Sequence, residues 1–184
     1  DAALGSRFPL DLLTTTDDPR IAAVAEKHGS EVLQRRKELA DDHSPMPPVV
    51  KDVLDRMSHQ GRDYEVILLL QPTCPLRTNA HIDAALEILE RGDGDSVISV
   101  TRVEDAHPAR MYTLRQGRLQ PYLAAHEKAN RQDLPALYHR NGLIYALRTE
   151  LFLREMTFFV PDSIALPVDR ASAVNIDDPF DFQL

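Results

Sequence analysis

Cysteine occurs once in these 184 residues, as Cys74, so no intramolecular disulfide can staple the chain, and a reducing cytoplasm is the compartment this favours. No apolar run approaches the ~20 residues that a membrane-spanning helix needs. No basic, apolar and small-residue leader opens the sequence. A soluble cytoplasmic protein is expected. Positive charge is in short supply: 21 Lys and Arg stand against 29 Asp and Glu, a net charge of −8 with a pI near 5.3. That balance argues against nonspecific binding to nucleic acid or to a membrane surface, both of which call for a basic face. An anionic ligand would need a locally basic site or a metal ion. The seven histidines are scattered, with no HExxH and no Cys/His metal spacing. Glycine is sparse as well, at seven residues, and Gly5-Ser6-Arg7 falls before a strand rather than after one, where a phosphate-binding loop belongs.

What is present is enough apolar residue, 43%, for one domain with a core. The stretch VILLLQPTCPLR, residues 66–77, organises it. Five consecutive apolar residues without alternation predict a parallel strand buried on both faces. Pro72 and Pro75 then fix two φ angles and hold Thr73 and Cys74 extended or in a turn. Gln71 and Thr73 are thereby presented at the carboxyl edge of the strand, where ligands bind in open α/β sheets; a stiff connection without a ligand explains the same spacing.

Around this stretch strands and helices alternate. A short run at Leu10–Thr15 precedes a helix capped by Asp17 or Asp18, with Ile21, Ala22, Val24 and Ala25 on one face and Gly29 as its stop. Residues 31–34 form a candidate strand, and 35–48 a charged, proline-rich loop. Residues 49–59 carry the i, i+3, i+4, i+7 stripe of an amphipathic helix; Thr78 or Asn79 caps the next, over Ile82, Ala85, Leu86 and Leu89. Strands follow at 96–103 and 141–147, a short helix at 149–155, and a last helix opened by Pro179. The pattern predicts an α/β fold, doubly wound, with a mostly parallel sheet and right-handed crossovers. One departure is the region 104–136, where Arg115-Gln116-Gly117-Arg118 sits between two strand-like runs as a hairpin. The chain opens with Asp1 and stops at Leu184 within a helical pattern, and so reads as a piece of something longer.

The loop QPTCPLR resembles the Gln-Pro-Thr-Ser-Pro-Leu-Arg loop of the acylneuraminate cytidylyltransferases, with Cys74 in place of Ser. RQDLP at 131–135, NGLIYAL at 141–147, Phe158-Phe159 and NIDDPFDF at 175–182 follow in the same order, so the resemblance covers residues 14–182. It implies a Rossmann-like nucleotidyltransferase that joins CMP from CTP to a nine-carbon sugar acid with Mg²⁺. Arg131 would recognise the sugar acid, assisted by Arg110 where the family has Lys. Gln71 and Thr73 would meet the sugar, and Tyr145, Phe158 and Phe159 would wall its pocket. Asp42 and Ser44 would lie near the base, and Asp177 with Asn175 would hold the metal, Asn175 replacing the first Asp of an Asp-x-Asp pattern. The arm at 104–136 implies a homodimer. The family's opening strand and Arg-x-Gly-Gly-Ser-Lys loop find no match here, which places them before Asp1. Legionaminate, pseudaminate or Kdo as acceptor, a noncatalytic nucleotide- or sugar-binding domain, and an interaction module are the rival readings.

Overall fold

The computed structural model describes residues 1–41, 44–124 and 130–183. Its centre is a four-stranded sheet in the order β3 (Val66–Leu69), β7 (Tyr138–Arg148), β4 (Ser96–Arg102), β8 (Ile164–Pro167). β3, β4 and β8 run one way, whereas β7 runs against both of its neighbours. The sheet is therefore mixed, and NGLIYAL is its antiparallel member. An unbroken apolar run reports burial on two faces and leaves strand direction open.

Both faces are covered, which is why these strands lack alternation. On one face Val66, Leu68, Val97, Ile144 and Ala146 pack under Ile82, Ala85, Leu86 and Leu89 of α3 (Asn79–Glu90). On the other, Ile67, Ile98, Tyr145 and Leu147 meet Phe152 of α4 (Thr149–Glu155), Phe158, and Met46, Val50 and Leu54 of α2 (Met46–Ser58). The fold is α/β and doubly wound. α2 starts earlier than its apolar stripe, because Pro47 and Pro48 fit the first turn, where no N–H is needed. Thr78 precedes α3 as its N-cap, its N–H donated to His81 Nδ1 at 3.2 Å, while Asn79 Nδ2 donates to Gly5 O. After Pro179 the expected helix is only a 3₁₀ turn, Asp181–Gln183.

β1 (Leu13–Thr16) and β2 (Glu31–Gln34) form a separate parallel pair joined by α1 (Pro19–Lys27). Asp18, not Asp17, caps α1 by accepting the Arg20 N–H at 2.7 Å. The predicted apolar face of α1 is real in sequence but incompletely covered, for Ile21 and Val24 stay 54% and 59% exposed. Between β1 and β3 lies a gap. β1 pairs only with β2 and β3 only with β7, and a cavity of about 580 Å³ separates them, walled by Val50 and Val53 of α2 and Leu86 and Leu89 of α3. The two strands begin side by side, since Asp11 accepts hydrogen bonds from Arg62 Nη2 at 2.8 Å and Tyr64 Oη at 2.7 Å.

The hairpin arm is present as β5 (Tyr112–Arg115) and β6 (Arg118–Pro121), an antiparallel pair. Gln116 and Gly117 both have positive φ, 49° and 76°, the geometry of a two-residue hairpin turn. His107, buried, pins the base of the arm: its Nδ1 accepts the Ala109 N–H and its Nε2 meets Pro135 O, both at 3.1 Å. Among the described residues no helix is long and apolar enough to cross a membrane.

Candidate substrate site at the end of strand β3

The loop 71–77 is held from beneath by Arg77, a residue whose role the sequence pattern does not reveal. Its Nη2 donates to Gln71 O at 2.6 Å and its Nε to Leu143 O at 2.7 Å. One guanidinium thus ties both ends of the loop to β7. Burial pushes its pKa down, with the Cys74 thiol acting weakly against it. Cys74 is fully buried under the loop, 3.5 Å from Asn141 O and 3.6 Å from Asn175 Oδ1, and burial pushes its thiol pKa up. It is a small packing group, not a nucleophile.

Asn141 and Gly142 shape the other wall. β4 is irregular between Ile98 and Val100, and the buried Ser99 repairs the ladder there: its Oγ accepts the Ile144 N–H at 2.8 Å and lies 2.6 Å from Asn141 Oδ1. Asn141 Nδ2 donates to Thr101 Oγ1 at 2.9 Å. This satisfied buried network fixes the bend of β7 just before Gly142. Gly142 has φ of 77°, and a Cβ built on it would overlap Gln71 Oε1. The glycine is therefore what lets the Gln71 amide lie against β7. Gly142→Ala should cost about 1–2 kcal/mol for the left-handed backbone and swing Gln71 away. Calorimetric unfolding checks this; an unchanged midpoint would show that the Gln71 amide does not depend on the missing Cβ.

Tyr145, Phe158 and Phe159 lie in ring contact, and the two phenylalanines differ. Phe158 is buried against Phe152, with centroids 4.9 Å apart, and is core. Phe159 is half open and meets Tyr145 edge-on at 5.6 Å. Tyr145 pairs across the sheet with Leu69, two residues before Gln71. Arg140, absent from the sequence expectations, lays its guanidinium 3.7 Å over the Phe159 ring. Its spacing from Gly142, on a strand whose side chains alternate, is the signal that could have found it.

Asn175 and Asp177 are brought to the same loop. The Ile176 N–H donates to Thr73 O at 2.8 Å, and Asn175 Nδ2 donates to Asp177 Oδ2 at 2.5 Å. Capping falls to Asp178, whose Oδ1 accepts the Phe180 and Asp181 N–H groups at 2.7 and 3.0 Å. Among the described residues Asp177 accepts no backbone hydrogen bond, and its carboxylate is engaged by the Asn175 amide alone. Among the described residues no three His, Cys, Asp or Glu side chains gather as a metal cluster.

Of the remaining expected residues, three are described. Arg131 sits in a 3₁₀ turn on the arm side, 68% exposed, and pairs with Asp105 at 3.3 Å; it makes no hydrogen bond to Gln71, Thr73 or Tyr145. Arg110 closes the turn Pro108–Arg110 at the base of the arm. Ser44 donates its N–H to Asp41 O just ahead of α2. Asp42 lies outside the described residues.

Comparison with known proteins bears on the same segments. The chain is 32% identical over 185 residues to the N-acylneuraminate cytidylyltransferase of Streptococcus agalactiae serotype V, covering 99% of this chain and 44% of that protein. It is 31% identical over 187 residues to the CMP-N,N′-diacetyllegionaminic acid synthase of Legionella pneumophila, covering 100% of this chain and 79% of that one. It thus spans less than half the length of the first curated relatives it matches. A solved structure of CMP:2-keto-3-deoxy-manno-octonic acid synthetase complexed with CTP shares the fold, with a TM-score of 0.63 at 14% identity, over 91% of this chain and 76% of that chain. A family model described as Cytidylyltransferase matches residues 1–166, nine-tenths of the sequence, and the chain belongs to that family.

Proposed function

We propose that this chain serves the transfer of CMP from CTP to a sugar acid, with pyrophosphate as the leaving group. The observation that carries the reading is placement: Gln71 held against Gly142 and Asn175–Asp177 tied to Thr73 lie at the carboxyl end of β3, and Tyr145, whose ring meets Phe159, pairs with Leu69 at that same end. In such a transfer the acceptor's anomeric hydroxyl attacks the α-phosphorus, and the bond to the β-phosphate oxygen breaks. The protein's part is positioning and charge neutralisation. Gln71 offers both donor and acceptor to sugar hydroxyls or an acyl amide, and Phe159 with Tyr145 offers an apolar face. Relatives of similar identity are named for acylneuraminic and legionaminic acids, and a nine-carbon acid such as N-acetylneuraminate is the acceptor we favour over legionaminate, pseudaminate and Kdo.

The donor set at Asn175–Asp177 fits Mg²⁺ as a one-carboxylate site. Asp177 supplies the charge and Asn175 an amide oxygen, once the Asn175 amide turns its Oδ1 toward Asp177 in place of Nδ2. When bound, the ion would offset the negative charge of the phosphates. A noncatalytic binding domain is the second reading, favoured by the neutral Asn175 already satisfying Asp177. Pyrophosphate release by the full-length polypeptide, assayed with CTP and each of the four acids, decides between them: release with any acid supports transfer, and none with all four supports binding alone. A cytoplasmic location is part of this proposal.

We also propose a homodimer built through the arm. Leu114 and Leu119, 70% and 67% exposed, face each other across a ribbon whose residues are nearly all exposed among the described residues, and a two-stranded ribbon alone is marginal in water. Deleting Met111–Tyr122 should convert a dimer to a monomer by light scattering; an unchanged dimer would locate the interface elsewhere.

A further inference from the structure

We propose that Arg140 recognises the carboxylate of the acceptor, an inference that rests on the transfer reading above and names the group that selects an acid. Its position comes first. Arg140 stacks at 3.7 Å on Phe159, Phe159 abuts Tyr145, and Gly142, two residues along the same strand, seats Gln71. A cation thus stands on the rim formed by the residues that would hold the sugar.

Its partners, or their absence, come second. Many arginines elsewhere are spent on acids, Arg7 on Glu87, Arg36 on Asp52, Arg62 on Asp11 and Glu31, Arg131 on Asp105, and Arg77 is spent on carbonyls. Among the described residues Arg140 has no ion pair and its side chain no hydrogen bond, although the chain carries an excess of eight negative charges. Its five N–H donors are uncommitted. Stacking on a ring engages the flat face of a guanidinium and leaves its edge open, and the edge is what grips a carboxylate with two parallel hydrogen bonds. The ring also restricts the side chain before any ligand arrives, so less entropy is lost on binding. The charge reaches the pocket: burial raises the Tyr145 pKa, and Arg140 acts against that rise.

Arg131 has neither property: among the described residues it stacks on no ring, and it is already paired with Asp105. The division of labour therefore differs from the one implied by resemblance, with Arg140 at the acid and Arg131 in the arm's own ion pairs.

The test uses the full-length protein with wild-type sequence, Arg140→Leu and Arg140→Lys, assayed against a sugar acid and its methyl ester. The wild type should prefer the acid. Arg140→Leu should raise the KM for the acid by roughly tenfold to a hundredfold, the worth of a charged hydrogen bond, shift the KM for CTP less than about threefold, and lose the preference over the ester. Arg140→Lys should recover only part of the preference. Preserved discrimination in Arg140→Leu overturns the assignment while leaving the transfer reading intact. A dominant effect on CTP would move Arg140 to the phosphates and also overturn it. A wild type inactive with every acid sinks the transfer reading, and this assignment with it.

Discussion

Arg77→Leu should lower the thermal midpoint by roughly 6–12 °C, which corresponds to about 3 kcal/mol for a domain of this size. The figure follows from two charge-assisted hydrogen bonds, each worth ~1.5–3 kcal/mol, reduced by the desolvation that the guanidinium no longer suffers. Leu143 O would lose this donor, and Gln71 O would keep only the longer bond from the Cys74 N–H at 3.3 Å, in a half-buried site. Lysine should not rescue the loss. A single ammonium at the end of a flexible stem cannot bridge two carbonyls as a fork does. Sugar-acid binding should fall with stability, because the same contact fixes the start of the loop that presents Gln71. Thermal unfolding of the wild type, Arg77→Leu and Arg77→Lys measures this. A midpoint within 2 °C of wild type in Arg77→Leu would show that the loop holds without it.

The second large effect is expected at Asp177. Asp177→Ala in the full-length protein should reduce metal-dependent turnover by roughly a hundredfold or more, the scale on which one electrostatic stabiliser of a transition state acts. Its melting temperature should stay within about 2 °C, because surface changes away from caps and core are usually worth less than about 0.5 kcal/mol. The separation is possible because Asp178, not Asp177, accepts the backbone N–H groups of the following turn. Asn175→Asp should lower the Mg²⁺ concentration giving half-maximal rate, since a second carboxylate replaces a neutral amide. Turnover titrated against Mg²⁺ for both variants tests the pair. A lowered melting temperature with unchanged metal dependence would return Asp177 to a structural role.

Much of the scaffold can be read from residue order. Apolar runs without alternation locate β3, β4 and β7, and helix stripes at 3.6-residue spacing locate α2 and α3, because burial acts on every residue of those segments. The direction of β7 cannot be read this way, since pairing direction is decided by which neighbour the strand meets after a long excursion through the arm. Site residues divide along a similar line. Gln71, Thr73, Tyr145, Asn175 and Asp177, the residues expected there, belong to segments with their own signature, and backbone pairing carries those segments to the carboxyl end of β3. Arg77, Gly142 and Arg140 were not expected, because the role of each exists only across the sheet: a guanidinium spanning two carbonyls, a missing Cβ beside an amide 71 residues away, a cation resting on a ring. Arg131 shows the reverse. Its motif is clear in sequence, yet its side chain is drawn to Asp105.

The gap between β1 and β3 bears on how the chain behaves at high concentration. With the Thr149 N–H bonded to Glu65 O, antiparallel alternation turns the backbone groups of Val66 and Leu68 away from β7 and toward the gap. β1 is open on the same side, except where Arg35 Nη2 covers Thr15 O at 2.7 Å. Neither edge carries a proline, a lysine or a bulge, the devices that normally blunt such templates. The two edges facing the gap can each take one further strand, from chain outside residues 1–184 or from another copy, and where neither fills it edge-to-edge association is the failure to guard against during purification.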